Sequence, residues 1–183
     1  MKIAYLTQLF TLALCQDKVQ FQSVSLKGSA CESASIALTD DKRTFTVIFD
    51  SFIVTADDDR AKCIAELNII FPKRCSRVNT RFDYRGFASL DDNLKSKRVS
   101  NYGYSNGLVF QTVKKVIVGP FSDDYIESDE ITVKRTAYHK KPISKVKIDI
   151  TASLKGVASV PGQRTIDALD GSLLDTLIGK YQC

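Results

Sequence analysis

Apolar and polar residues alternate along this chain with a period of two almost from end to end, and that repeat leaves few folds open. Phe45, Val47, Phe49, Ser51 and Ile53 fall on one side of an extended segment, with Thr44, Thr46 and Asp50 on the other. Cys63, Ala65, Leu67, Ile69 and Phe71 repeat the pattern against Glu66 and Asn68. Pro72 closes that segment, because a proline cannot donate to a ladder. Val78, Thr80, Phe82 and Tyr84 alternate with Asn79, Arg81, Asp83 and Arg85, and Val146 to Leu154 alternate with Lys145, Lys147, Asp149 and Thr151. Shorter strands are predicted at 19–26, 33–38, 97–103, 108–118 and 125–137. The 14 Val, 15 Ile and 13 Thr agree, since branching at Cβ stiffens χ1 and suits a pleated surface.

Turn signals separate these runs: Thr39-Asp40-Asp41-Lys42, Asp57-Asp58-Asp59, Asn106-Gly107, Gly119-Pro120 and Pro161-Gly162. The apolar positions of residues 166–178 also fit a helix, but Asp170-Gly171 would close a tight hairpin, and a hairpin is the expectation there. Strands spaced so regularly by turns predict an all-β protein, an antiparallel β-sandwich rather than a βαβ unit. No repeat, low-complexity tract or linker divides the chain, so residues 16–183 read as a single domain.

Residues 1–15 read as a signal peptide. Met1-Lys2 is a short basic start, Ile3 to Leu14 is an apolar run, and Ala13 and Cys15 are small residues before a cut that leaves Gln16 first. The protein is therefore expected to be secreted and extracellular. Loss of the leader leaves Cys31, Cys63, Cys75 and Cys183, an even set that predicts two disulfides with three possible connectivities. A crosslink from Cys31 to Cys63 would contribute roughly 3–4 kcal/mol through the loop that it closes. Zinc is not indicated, because no Cys-x-x-Cys occurs and the only histidine is His139. No Asn-x-Ser/Thr acceptor is present, and no apolar run has the ~20 residues of a membrane-spanning helix.

Composition narrows the chemistry. One His, one Met and no Trp leave little for a metal cage or a histidine-based catalytic centre. No Gly-x-Ser-x-Gly occurs and His139 has no Ser or Cys nucleophile at a motif-like spacing, so a hydrolytic triad is unsupported. Residues 123–130 (DDYIESDE) hold five carboxylates and no base. They read as a solvated strand edge, with cation binding through oxygen ligands as the other use of such a cluster. Asp57-Asp58-Asp59 lacks the Gly and distal Glu of an EF-hand loop. Lys134, Arg135, Lys140, Lys141, Lys145 and Lys147 follow with no acid between 132 and 148, and the net charge is +5. Period two scatters these cations over strand faces and a loop, which reads as a charged, solvated surface. Nucleic acid is not an expected partner, since no motif for it is present. Tyr102-Gly103-Tyr104-Ser105-Asn106-Gly107 reads as a loop tip, whose tyrosines either cover the end of the sandwich or form a stacking surface for a sugar or a protein.

The ordered set Thr44–Phe52, Arg60-Ala61-Lys62-Cys63, Asp83–Asp91, Gly119–Tyr125 with Asp129-Glu130, and the terminal Cys183 resembles a family of small secreted proteins, mostly fungal with some bacterial members. It is known as domain of unknown function 4360. The resemblance covers roughly residues 31–183 and implies a secreted β-sandwich with no established activity, so no catalytic residue follows from it. Two places depart from the family pattern. The family's Cys near Lys140-Lys141-Pro142 is absent, with Cys75 as a replacement, and its aromatic C-terminal strand is here the Leu-rich stretch 166–178.

Cys31–Cys63 is the favoured pair, because both cysteines sit at strand starts one hairpin apart, and Cys75–Cys183 follows by elimination. Function reads as a non-enzymatic module that binds a cell-wall polysaccharide or a surface protein, without cofactor or metal, as a monomer. Tyr102, Tyr104 and Arg85 are the candidate ligand contacts. Arg85 is expected either to meet Asp83 or Asp50 in a partly buried pair or to face a ligand, and Gly86 beside it signals a bulge or a close backbone approach. The alternative is a small hydrolase of polysaccharide that uses carboxylates such as Asp83, Asp124 or Asp129, which requires two of them ~5–9.5 Å apart.

Overall fold

The computed structural model describes residues 18–72, 75–135, 143–156 and 162–174, together with the strand pieces 177–178 and 181–182. The leader, His139 and Cys183 lie outside the described residues. The strands are β1 (Gln20–Lys27), β2 (Ser35–Leu38), β3 (Thr44–Ile48), β4 (Ile53–Thr55), β5 (Arg60–Ile70), β6 (Arg77–Leu90), β7 (Lys95–Tyr104), β8 (Val109–Val118), β9 (Phe121–Lys134), β10 (Ile143–Lys155), β11 (Gln163–Thr165), β12 (Ala168–Leu174), β13 (Leu177–Ile178) and β14 (Tyr181–Gln182). A 3-10 turn at Ser29–Cys31 is the one helical element among the described residues. All pairings are antiparallel. One sheet has five strands in the order β1-β5-β10-β7-β8, and the other has seven, β2-β3-β12-β6-β11-β4 with β9 on the free side of β6. The expected sandwich is the observed one.

The periodicity decides which side chains meet between the sheets. Ala65, Leu67 and Ile69 of β5 and Val146, Ile148 and Ile150 of β10 line one wall, while Phe45 and Val47 of β3 and Val78, Phe82 and Tyr84 of β6 line the other. Phe21, Phe45, Phe82 and Tyr102 form an aromatic chain through the interior, with successive centroids 5.0, 6.2 and 5.4 Å apart. Each such ring contributes about 1.5–3 kcal/mol by leaving water.

The seven-stranded sheet contains two aligned breaks. β3 stops at Ile48 and β4 resumes at Ile53, and beside them β11 stops at Thr165 and β12 resumes at Ala168. The loops bond across the gap, Phe49 N–H to the Asp167 carbonyl and Ile166 N–H to the Phe52 carbonyl, each at 2.9 Å. The expected continuous face from Phe45 to Ile53 is therefore cut. Phe45, Val47 and Phe49 point inward, but the chain shifts phase after Asp50, so Phe52 and Val54 are buried while Ile53 is exposed.

The expected hairpin at Asp170-Gly171 is corrected as well. Both residues lie inside β12, paired to β3 on one side and β6 on the other. Gly171 is a packing residue, because a Cβ there would stand 2.2 Å from the ring of Phe45. Gly86 marks a close approach rather than a bulge. The β6–β9 register runs unbroken from Arg77↔Lys134 to Leu90↔Phe121, and a Cβ on Gly86 would lie 2.2 Å from the Thr165 carbonyl oxygen.

Cys31 and Cys63 are joined, with Cα atoms 5.7 Å apart, which ties the 3-10 turn to β5. Cys75 is also disulfide-bonded. Thr80 of β6 is fully buried, and its Oγ1 finds no partner among the described residues. Replacing that hydroxyl by a methyl group of the same shape removes a desolvated polar atom. Thr80→Val should thus raise stability by ~1 kcal/mol in urea unfolding, and a lowered midpoint would contradict this account.

Candidate functional site

Part of the interior is polar and charged. On β7 the inward positions include Ser96, Arg98, Ser100 and Tyr102, on β9 Tyr125, Glu127 and Asp129 precede the apolar Ile131 and Val133, and Arg164 enters from β11. Arg98 grips Asp129 with two bonds, Nη1–Oδ2 at 2.7 Å and Nη2–Oδ1 at 2.9 Å, and its Nε donates to Glu127 Oε2 at 2.6 Å. Its guanidinium lies over the Tyr84 ring, 3.8 Å from the centroid. Arg164 donates from Nη2 to the same Glu127 Oε2 at 2.8 Å and from Nε to the Tyr125 hydroxyl at 3.0 Å. Tyr102 donates to Asp129 Oδ2 at 2.7 Å and shares a bond with the Tyr84 hydroxyl at 2.9 Å. Two cations thus meet two carboxylates in the interior, with Arg98 reaching across from the five-stranded sheet. Each charge is paired and hydrogen-bonded, as a buried charge must be.

Burial works against the Arg98 charge, but the Asp129 hydrogen bonds and its neighbours hold the guanidinium's pKa above its ordinary value. Burial likewise pushes the hydroxyls of Tyr84, Tyr102 and Tyr125 upward. These groups stay in one protonation state across the physiological range, and the network acts as an internal brace.

The residues proposed from sequence are spread over three places. Tyr102 is not at an exposed tip: it is fully buried within β7, because Gly103 and the turn at Tyr104–Gly107 come later in the strand than its position requires. Tyr104 is half-buried against Phe110, at 4.9 Å between centroids, and its hydroxyl bonds to the Lys134 carbonyl at 3.0 Å. Tyr102 is thus an interior residue of the brace, and Tyr104 packs at the rim beside the turn. Asp129 lies inside, Asp83 lies on the outer face of β6, and Asp124 lies on the outer face of β9 four residues from Ser128, the partner of Asp83. That offset is about 13 Å along the strands, and the three carboxylates do not converge. The acidic run 123–130 is divided in the same way, with Glu127 and Asp129 inward and Asp124 and Glu130 outward. Among the described residues no three His, Cys, Asp or Glu side chains gather as a metal site would require.

Arg85 does reach a surface with organised chemistry, although its partner is neither Asp83 nor Asp50. Its Nη2 meets Asp170 Oδ2 at 2.7 Å, with the Arg85 side chain half exposed. Thr46 donates to the other oxygen of Asp170 at 2.6 Å. Asp83, opposite Asp170 in register, is held by Arg81 Nε at 2.9 Å and by the Ser128 hydroxyl. Two carboxylates directly opposite would repel, and the flanking arginines neutralise them. Partial burial acts against the Asp83 carboxylate, yet the Ser128 and Arg81 hydrogen bonds set its pKa below the usual range. The result is a ladder of donors and acceptors across β3, β12, β6 and β9, flanked by exposed Ile48 and Ile126. Asp170, Thr46 and Ser128 were not visible as site residues in the sequence, because their only signal is cross-strand register.

Residues 17–177 match the family described as Domain of unknown function (DUF4360). The chain belongs to this family. The match spans every strand from β1 to β12, so the DUF4360 unit includes both the internal brace and the outer ladder. An uncharacterized secreted protein of Arthroderma benhamiae is 27% identical over 130 residues, which cover 67% of this chain and 53% of that protein. The chain therefore spans about half the length of the curated relative that it matches.

Among solved structures, this DUF4360 chain is similar to the infectious bursal disease virus Gx strain structure at TM-score 0.39 and 12% identity, over 90% of this chain and 33% of that one. It is similar to a carbohydrate-binding module described by its mannan recognition at TM-score 0.34 and 8% identity, over 85% and 98%. A carbohydrate-binding module solved with β-1,4-galactotriose follows at TM-score 0.32 and 11% identity, over 82% and 89%. At these scores no ligand passes from those proteins to this one.

Proposed function

We propose that this protein is a secreted, non-catalytic binding module that holds a neutral cell-wall polysaccharide against the outer face of its seven-stranded sheet, with Arg85 as the central contact. The observation that carries this reading is the charge-balanced ladder of Thr46, Asp170, Arg85, Asp83, Arg81 and Ser128 on an open sheet face. Sugar hydroxyls donate and accept at once, which suits donors and acceptors set at strand spacing. Arg85 spends one nitrogen on Asp170 and, half exposed, keeps further donors for a ligand. Ile48 and Ile126, 53% and 68% exposed, offer apolar contact on either side. Secretion is supported by the disulfide at Cys31–Cys63 and by the description of the Arthroderma relative. Catalysis is not favoured, since Asp83 and Asp129 are engaged by arginines on opposite sides of one sheet.

The test is retention of the oxidised protein on insoluble neutral cell-wall polysaccharides. Arg85→Ala should weaken binding ~10-fold, the value of one charge-assisted hydrogen bond. It should barely move the melting temperature, because the exposed pair contributes ~0–1 kcal/mol. Equal retention of the variant would remove Arg85 from the contact. Retention that disappears when the wall is stripped of protein would assign the face to a surface protein instead.

A further inference from the structure

We infer that the outer face of the five-stranded sheet is a second docking surface, built for an acidic polysaccharide. The sequence scatters its basic residues, but register gathers them. Opposite residues of a sheet share a face, so Arg60, Lys95, Lys97, Lys114 and Lys155 all point outward from β5, β7, β8 and β10. The acidic residues among the described outward positions of this sheet are Glu66 and Asp149. Both are already engaged, Glu66 by Lys27 at 3.2 Å and Asp149 by Lys62 at 2.9 Å. The five cations named make no ion pair among the described residues.

Lys95 and Lys155 are direct cross-strand partners. Like charges in that relation destabilise a sheet, and nothing in the fold requires lysine at either place. The opposite sheet shows the contrast, since Arg81 and Arg85 on its outer face are each matched to a carboxylate. The net charge of the chain is therefore concentrated on one face. The acidic turns Asp57–Asp59 and Asp91-Asp92 lie at the end of that sheet rather than on it.

Chemistry selects the occupant. Lys95 and Lys155 stand one strand spacing apart, about 4.8 Å, and Lys95 and Lys97 ~6.6 Å apart along β7, close enough together to act on one flexible polyanion. Ser153 lies between Arg60 and Lys97, with Thr151 on the same face of β10, and both can bond to sugar hydroxyls. Four of the five cations are lysines, compact charges suited to single carboxylates. None of the described outward positions is an aromatic on which a nucleic-acid base would stack.

The probe is polygalacturonate, a linear polyuronate, with dextran, phosphatidylserine vesicles and single-stranded DNA in parallel. The wild-type protein should bind polygalacturonate and not dextran, with affinity that falls steeply as salt rises. The triple variant Lys95→Glu, Lys97→Glu, Lys114→Glu should lose at least ~10-fold, as long-range charge complementarity predicts. Should that variant fold poorly, Lys97→Gln with Lys114→Gln should still reduce both the affinity and its salt dependence. Arg85→Ala should leave polyuronate binding unchanged, which separates this surface from the ladder on the other sheet. Unaltered binding by the charge variants, salt-independent binding, or tighter binding to vesicles or DNA than to polyuronate would overturn the assignment.

Discussion

Arg98→Met should destabilise the protein by about 3–5 kcal/mol in reversible chemical unfolding, the cost of leaving a buried charge without its partner. Asp129 is the reason. Its side chain has no solvent exposure, and Arg98 supplies both of its charged contacts. Tyr102 would still donate one bond to it, but a neutral hydroxyl cannot replace a guanidinium. Glu127 would suffer less, since Arg164 reaches the same oxygen from β11. The double variant Arg98→Met, Asp129→Leu should recover at least half of the loss, because an apolar pair of similar volume removes both desolvated charges together. In a double-mutant cycle the two sites should therefore couple strongly. A cost under ~1 kcal/mol for Arg98→Met would mean that water reaches Asp129, and the brace would have to be redrawn.

The same network shows where sequence reading stops. β5, β10 and the first part of β6 were legible because apolar residues occupy every second position, and burial follows those residues strictly. β7 inverts the rule. Its one aliphatic residue, Val99, faces outward while Arg98 between Ser96 and Ser100 faces inward. β9 inverts it in the same stretch, with Ile126 68% exposed and Glu127 and Asp129 turned inside. Either inversion alone looks like a solvated strand. Together they are complementary, since Ser-x-Arg-x-Ser on one strand answers Glu-x-Asp on another. That correspondence depends on which strands lie face to face, and a strand's own periodicity carries no such information. The outer ladder was half visible for a related reason. Arg85 stood out through Gly86, but Asp170 was assigned to a turn because Asp-Gly closes hairpins so often. Here the missing Cβ makes room for Phe45, and the aspartate before it faces out as part of the strand.

Above pH ~10 the protein should lose stability, at up to about 4 kcal/mol per pH unit, until it unfolds cooperatively. Tyr84, Tyr102 and Tyr125 each have a hydroxyl whose pKa burial drives above the ordinary value of 10.0. A folded-state pKa above the unfolded one means that the native state keeps its proton where the unfolded chain releases it. The contribution of such a group is fully present below the ordinary tyrosine pKa and declines as pH rises toward the folded value. Each of the three groups therefore costs up to ~1.4 kcal/mol per pH unit between its ordinary and its folded pKa. A loss on that scale is large beside a typical domain stability of about 5–15 kcal/mol. Tyrosinate absorbance followed with a tertiary-structure signal checks the argument: the share due to these three tyrosines should appear together with unfolding, not before it. Tyr84→Phe should reduce the slope by about a third, since it removes one of three linked protons. Its ring remains under the Arg98 guanidinium, so the brace keeps its stacking contact and the change in slope reports the proton alone. Full tyrosinate formation near pH ~10 in a protein that stays folded would show that these hydroxyls are open to solvent, contrary to the geometry of the interior.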